Sequence, residues 1–164
     1  MTAPVGTDLT TVHLLELPVR TAARARQWFE ELLREFALIH AGAADGHDGP
    51  EVPGRLMAMV DMLTTQYGGL NDDARDRLEA AIDRGDLVIA DHVMAMPAEA
   101  GAACQGLTAL MDEVGTFCRQ GKHLLTLAEP EDVLAYRRWY LGEVVRQLAG
   151  SEPTPWPVHH GQAS

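Results

Sequence analysis

Seven histidines and two cysteines are the residues of this 164-residue chain best suited to chemistry, so their spacing limits the reactions the sequence can support. His40 with His47, or His159 with His160, could offer nitrogen ligands to a metal if Asp45 or Asp48 came close. The spacing is not diagnostic of a site: there is no HExxH, no pair of ExxH segments and no CxxC. Surface or loop histidines are the simpler reading, and no metal ligand is assigned. Asp91 and His92 could act as an orienting carboxylate and a base, but adjacent side chains usually point apart, and the pair lacks a nucleophile. No GxSxG occurs, and Cys104 and Cys118 fall on an apolar helix face, where a thiol is inert. The carboxylate pairs Glu30-Glu31 and Asp72-Asp73 sit on an exposed face and at a helix start, where solvation or the helix dipole accounts for them. Neither GxxxxGK[ST] nor GxGxxG is present to cradle phosphate. The sequence therefore predicts no catalytic residue and no cofactor.

The most distinctive segment is LAYRRWYLGEVVRQLAG, Leu134 to Gly150, which crowds Tyr136, Arg137, Arg138, Trp139 and Tyr140 together. Aromatic residues and arginine are enriched at the centres of interfaces. Neighbouring aromatics on a helix cannot all face one core, so a partner-binding face is predicted at Trp28, Arg137, Arg138, Trp139 and Tyr140. Packing within the chain is the competing reading of the same cluster. Its partner would be another regulatory protein or a second copy of the chain.

Charge narrows the partner further. Asp and Glu number 24 against 13 Lys and Arg, a formal charge of −11, which repels phosphate backbones and anionic lipid. Nucleic acid and membrane are not expected partners. The basic clusters Arg20, Arg24, Arg26 and Arg137, Arg138, Arg146 are flanked by acids and read as solvated helix faces. No apolar run reaches the roughly 18 residues of a membrane helix, and the start lacks a secretory pattern. A cytoplasmic protein with reduced thiols follows; four helical turns between Cys104 and Cys118 put a disulfide out of reach.

The elements that must position these residues are mostly helices. Residues 1–11 read as a flexible leader, 12–150 as a single helical domain and 151–164 as a proline-rich flexible tail, from which Trp156 could fold back over an apolar groove. His13 to Val19 is an apolar run that Pro18 restricts to an edge strand or extended segment. With Thr21 as cap, Ala25, Phe29, Leu32, Leu33, Phe36 and Ile39 recur at helical spacing through about His40. A Gly-, Asp- and Pro-rich loop follows from Ala41 to Gly54. A second helix around Leu56, Met59, Val60 and Leu63 stops at Gly68 and Gly69, and Asn71 caps a third that ends at Gly85. Leu87 to Ala90 fits either a strand pairing with the N-terminal one or a buried connector. Pro97 suits the first turn of a fourth helix carrying Cys104, Leu107, Met111 and Val114, and after the connector Leu124 to Leu127, Pro130 opens a fifth that Gly150 ends. The expected fold class is mainly all-α: an irregular five-helix bundle with room for one short β element near the N-terminus.

Two segments carry a resemblance. HLLELPVRTAARARQWFEELLREFAL resembles the strand-then-long-helix start of anti-sigma-factor kinases of the histidine-kinase-like ATPase superfamily. The asparagine-bearing helix and DxGxG loop of those kinases are not found after Phe36, so ATP binding and kinase activity do not carry over. REFALIH and AYRRWYLGEVVRQLAG make the chain, over Val12 to Trp156, similar to helical actinobacterial proteins of unassigned activity. These accompany partner-switching regulators: anti-sigma kinases, STAS-domain antagonists and PP2C-type phosphatases. The resemblance implies a non-enzymatic regulatory protein acting through protein–protein contacts. A competing class is a small-molecule- or metal-binding bundle, enzymatic or not, in which Met-rich and aromatic walls enclose a ligand and His92 or His123 supplies a polar contact. A purely structural accessory is the third.

Overall fold

Alternation of apolar residues begins with Val12 and Leu14, which are fully buried while Thr11 faces solvent, so the chain enters the fold as a strand. The structure, a computed structural model, describes residues 8–43, 51–119 and 129–157. Its elements are β1 (Leu9–Pro18), α1 (Val19–Ala43), α2 (Glu51–Tyr67), α3 (Asp72–Arg84), β2 (Val88–Pro97), α4 (Ala100–Arg119) and α5 (Glu131–Leu148). The fold is mostly helical but not fully all-α, because β1 and β2 pair antiparallel along nearly their whole length, from Leu9 opposite Pro97 to Pro18 opposite Val88.

Several boundaries differ from those expected. Leu9–Thr11, assigned to the leader, are strand. Leu87–Ala90 resolves into the start of β2, which runs on through Asp91, His92 and two methionines, residues with little strand preference that pairing with β1 overrides. Pro97 ends that strand instead of opening α4; at the last position of an edge strand its missing N–H breaks no ladder bond. Thr21 is not a cap, since α1 starts at Val19, whose N–H is taken up by the Leu87 carbonyl at 3.1 Å. Pro130 and Gly85 do flank helices as expected, Gly85 in the left-handed conformation at φ 75°. The loop expected over Ala41–Gly54 is shorter, because Ala41–Ala43 continue α1 and Glu51–Gly54 open α2; residues 44–50, 120–128 and the last seven, with His47, His123, His159 and His160, lie outside the described residues.

The phase of β1 changes at Glu16. Burial falls at Val12 and Leu14, then at Leu17 and Val19, a step of three that a flat strand cannot provide. Glu16 supplies it by adopting φ 57°, a left-handed conformation that a residue with a Cβ disfavours.

Because the ribbon has two strands among the described residues, each has an outer edge that no described strand pairs, and both edges are met by side chains. On β1, Gln147 of α5 accepts from the His13 N–H and donates to the His13 carbonyl, both at 2.8 Å. On β2, Asn71 accepts from the Ala95 N–H and donates to its carbonyl, both at 2.9 Å. Asn71 makes no side-chain cap bond to α3, so its carboxamide serves the strand and not the helix. Arg77 donates to the Val93 carbonyl at 2.8 Å, and the Trp156 N–H donates to the Leu15 carbonyl at 2.9 Å.

The core has two parts. One joins the ribbon to α3 and α5 through Val12, Leu14, Leu17, Ala81, Met94 and Val144. The other joins α1, α2 and α4 through Leu32, Phe36, Leu56, Leu110 and Val114. Helix α1 belongs to both, with Val19 and Ala22 in the first and Trp28 onward in the second.

Two predictions follow from the ribbon. Gln147→Ala leaves the His13 N–H and carbonyl without partners and should lower the unfolding free energy by about 2–4 kcal/mol. A urea titration checks this; a loss below about 0.5 kcal/mol would show that water replaces the clasp. Glu16→Val raises strand propensity yet should cost about 1 kcal/mol or more, since β-branching opposes positive φ, whereas Glu16→Gly should be tolerated. Equal stability of the two variants would contradict the left-handed Glu16.

Candidate functional site

Between the two parts of the core the packing is incomplete. On α1 the buried face narrows to Ala22 and Ala25 before widening to Trp28 and Phe29, and the space beside the alanines forms a half-open chamber of about 410 Å³. Met111 of α4 and Val133 and Leu141 of α5 complete its walls, so its lining is almost entirely apolar. A second chamber of about 290 Å³ lies against the α2–α3 turn and β2, lined by Tyr67, Gly68, Asn71, Arg75, His92 and Met94. Arg26, Leu78, Tyr136 and Tyr140 line both, so the two chambers adjoin across these four side chains. Together they form one amphipathic site.

The ionisable groups of the site are held in defined states. His92 is 4% exposed on the inner face of β2, and its Nδ1 finds no hydrogen-bond partner among the described residues. Burial pushes its pKa below the usual 6.5, and the positive charge of Arg77 pushes the same way against the opposing carboxylate of Asp91. Asp91 itself points to the other face of the ribbon, where its carboxylate meets the His13 Nδ1 at 3.0 Å. The two neighbours thus do point apart, as alternation along a strand requires. Tyr140 donates to the Met94 sulfur at 3.2 Å, and burial, followed by the nearby Cys104 thiol, pushes its phenol up to about 12. Burial also raises the Cys104 thiol and the Tyr136 phenol. These groups are neutral at physiological pH.

The arginines are paired to different degrees. Arg137, with a side chain 11% exposed, donates through Nε and Nη2 to both Glu129 oxygens at 3.0 and 3.1 Å and reaches Asp112 at 3.4 Å. Its Nη1 is buried and finds no partner among the described residues. Arg75 pairs with Asp72 at 2.7 Å. Among the described residues Arg26 pairs with Glu79 alone, at 3.4 Å, with both side chains substantially exposed. Among the described residues no three His, Cys, Asp or Glu side chains gather as a metal site would need.

Of the residues predicted as a partner-binding face, Trp28 is 8% exposed in the second core and lines the apolar chamber. Arg137 is tied to Glu129, and Tyr140 to Met94. Trp139 is half-buried, bonded through Nε1 to the Thr154 carbonyl at 3.0 Å and set edge-on to Trp156 at 5.4 Å. Arg138 is exposed, at 62%. The cluster is therefore mainly intramolecular packing, and Trp156 does fold back to cover it. His92, foreseen as a polar contact for a ligand, is in the site. Arg26, Leu78, Tyr67 and the two small residues Ala22 and Ala25 were not foreseen: a helical stripe shows which face is buried, not whether the facing elements fill the space beside an alanine.

The buried neutral His92 has a consequence for stability. In the unfolded chain it takes a proton near pH 6.5, and in the folded chain only at lower pH, so its contribution is present above that value and lost as the pH falls. His92→Gln should flatten the decline in unfolding free energy between about pH 7 and 5 relative to the unchanged protein. Superimposable profiles would show that His92 is protonated equally in both states.

In comparison with known proteins, the chain matches no protein-family model, no curated protein and no solved structure.

Proposed function

We propose that this protein is a binding domain for a small, largely apolar molecule, which it holds in the double chamber beside α1. The observation that carries this reading is the gap itself. Packing on both sides of it is tight, with Leu14, Leu32, Phe36, Leu56 and Val114 fully enclosed, while the α1 alanines leave a space in the size range of small-molecule sites. Apolar walls meeting a few convergent polar groups are the usual composition of such a site. Here Tyr67, Arg26 and His92 are those groups. The walls present hydrogen-bonding groups around a neutral imidazole, an arrangement suited to holding a molecule in place.

The protein-binding role expected from the sequence draws less support, because four of its five residues are engaged within the chain. A regulatory role is compatible with the chamber: a domain that binds a small molecule can report its presence to whatever the exposed surface contacts. None of the helices, among the described residues, is long and apolar enough to cross a membrane.

Ligand binding at this place is testable without knowing the ligand. A compound present at 100 times its dissociation constant should raise the unfolding free energy by about 2.7 kcal/mol, visible as a thermal shift, and should perturb the fluorescence of Trp28. Ala25→Phe fills the apolar chamber and should abolish the shift while the far-UV spectrum stays native. A shift that survives Ala25→Phe would move binding elsewhere. No shift across a broad set of apolar metabolites would remove the reading.

A further inference from the structure

The two chambers differ in a way that orients a ligand, and the inference drawn from this rests on the double chamber being a binding site. We propose that the ligand is an apolar carboxylate, with its hydrocarbon body against Trp28, Met111 and Val133 and its carboxylate at Arg26, toward the α2–α3 turn.

Three observations lead there. First, the apolar chamber contains one cation besides Arg26, and it is already neutralised: both Glu129 oxygens and Asp112 surround Arg137. Arg138 shares Asp112 at 4.0 Å, so a further carboxylate at that end would meet two anions whose charge two guanidinium groups already balance. Second, Arg26 is the charged residue common to both chambers, and its partner Glu79 is held only at 3.4 Å across an exposed gap. Such surface pairs contribute little, so a ligand carboxylate in the chamber can displace Glu79 at small cost. A planar fork of donors facing a carboxylate permits two parallel hydrogen bonds, the geometry in which arginine binds this group best.

Third, arginines gather around the polar chamber although the whole chain carries −11. Arg26 and Arg75 line it, and Arg77 lies close enough to His92 to oppose its protonation. Against these stand Asp72, tied to Arg75, Glu79, loosely paired with Arg26, Asp91, turned to the opposite face of the ribbon, and Glu99, which acts on Tyr67. His92 is therefore an uncharged neighbour for the carboxylate and adds no competing charge. Gly68 and Gly69, at the turn, leave this end of the chamber without side-chain bulk. The overall negative charge slows the approach of an anion but does not reach into the site, where screening and burial make near charges dominate.

The test uses the full chain and three probes with one eight-carbon body: octanoate, 1-octanol and octyltrimethylammonium. Binding is followed by calorimetry and by Trp28 fluorescence. Octanoate should bind tightest, and Arg26→Gln should weaken it by about 10-fold while leaving 1-octanol unchanged, the loss expected for one charge-assisted contact. Because Arg26 is substantially exposed, the variant keeps the native core, and its thermal unfolding in the absence of ligand verifies this. If octanoate and octanol bind equally and Arg26→Gln alters neither, the carboxylate assignment is wrong while the chamber remains a binding site. Preference for octyltrimethylammonium would also overturn it. If none of the three perturbs Trp28 or binds at all, the chamber reading falls and the carboxylate assignment with it.

Discussion

The unpaired edges of a two-stranded ribbon are the constraint on which the rest of the molecule depends. A sheet of this size has no interior strand, so every backbone group on its outer sides must find water or a partner, and an isolated hairpin-sized pairing is marginal in water. Here two carboxamides solve the problem symmetrically. A carboxamide offers one acceptor and two donors in a plane, which lets it stand in for a neighbouring strand at one residue. Gln147 does this for His13 and Asn71 for Ala95. Gln147 is in turn fixed by its own helix: it also donates to the buried Glu143 at 2.9 Å, and Glu143 takes the Thr154 N–H at 3.0 Å and pairs with Arg146. One buried carboxylate thereby ties α5, β1 and the segment after Gly150 into a single polar network, and its charge is met on every side. Covered edges also protect the ribbon from adding strands of another chain.

Those clasps set where the helices go. Asn71 holds the α2–α3 turn to one side of the ribbon and Gln147 holds α5 to the other, so the inner face with Val12, Leu14, His92 and Met94 closes on α3, α5 and the start of α1. The rest of α1 packs with α2 and α4. At the junction α1 presents alanines, and no large side chain from α4 or α5 fills the gap. The chamber is thus the product of two separately packed cores sharing one helix. Its polar end arises because the ribbon's inner face carries a histidine, an unusual residue for a position with 4% exposure. Burial keeps that histidine neutral, and so the charges that matter are the arginines at the rim.

The aromatic segment of α5 illustrates how a cluster that looks like an interface in sequence is consumed by tertiary packing. Tyr136, Trp139 and Trp156 stack with ring centres 5.4–6.2 Å apart, and Tyr140 turns toward Met94. The chain after Gly150 supplies the cover, with Arg146 gripping the Glu152 carbonyl and the Thr154 hydroxyl. Edge-on and tilted aromatic contacts of this kind stabilise by more than the area they bury. Ser151 to Pro157 consequently runs as a strap bound across α5 to the outer edge of β1, although its prolines exclude helix and ladder alike.

Several features were legible in the sequence because they follow from local rules. Helical periodicity located α1 and α4, Gly85 and Pro130 marked helix boundaries, and Pro18 restricted the first strand to an edge. The opposed directions of Asp91 and His92 followed from their adjacency, and the ability of Trp156 to fold back from its place in a proline-rich stretch. What only tertiary structure decided was every feature in which a residue's role depends on a distant neighbour. Asp91 to Pro97 is strand because β1 lies beside it, Asn71 serves β2 instead of capping α3, and Gln147 on a helix completes a sheet 134 positions away in sequence. The site belongs to this second group. Side-chain types along one helix state which face is buried, but a cavity is a property of the volume between elements, and volume is set by how the partners approach and not by the residues of any one of them.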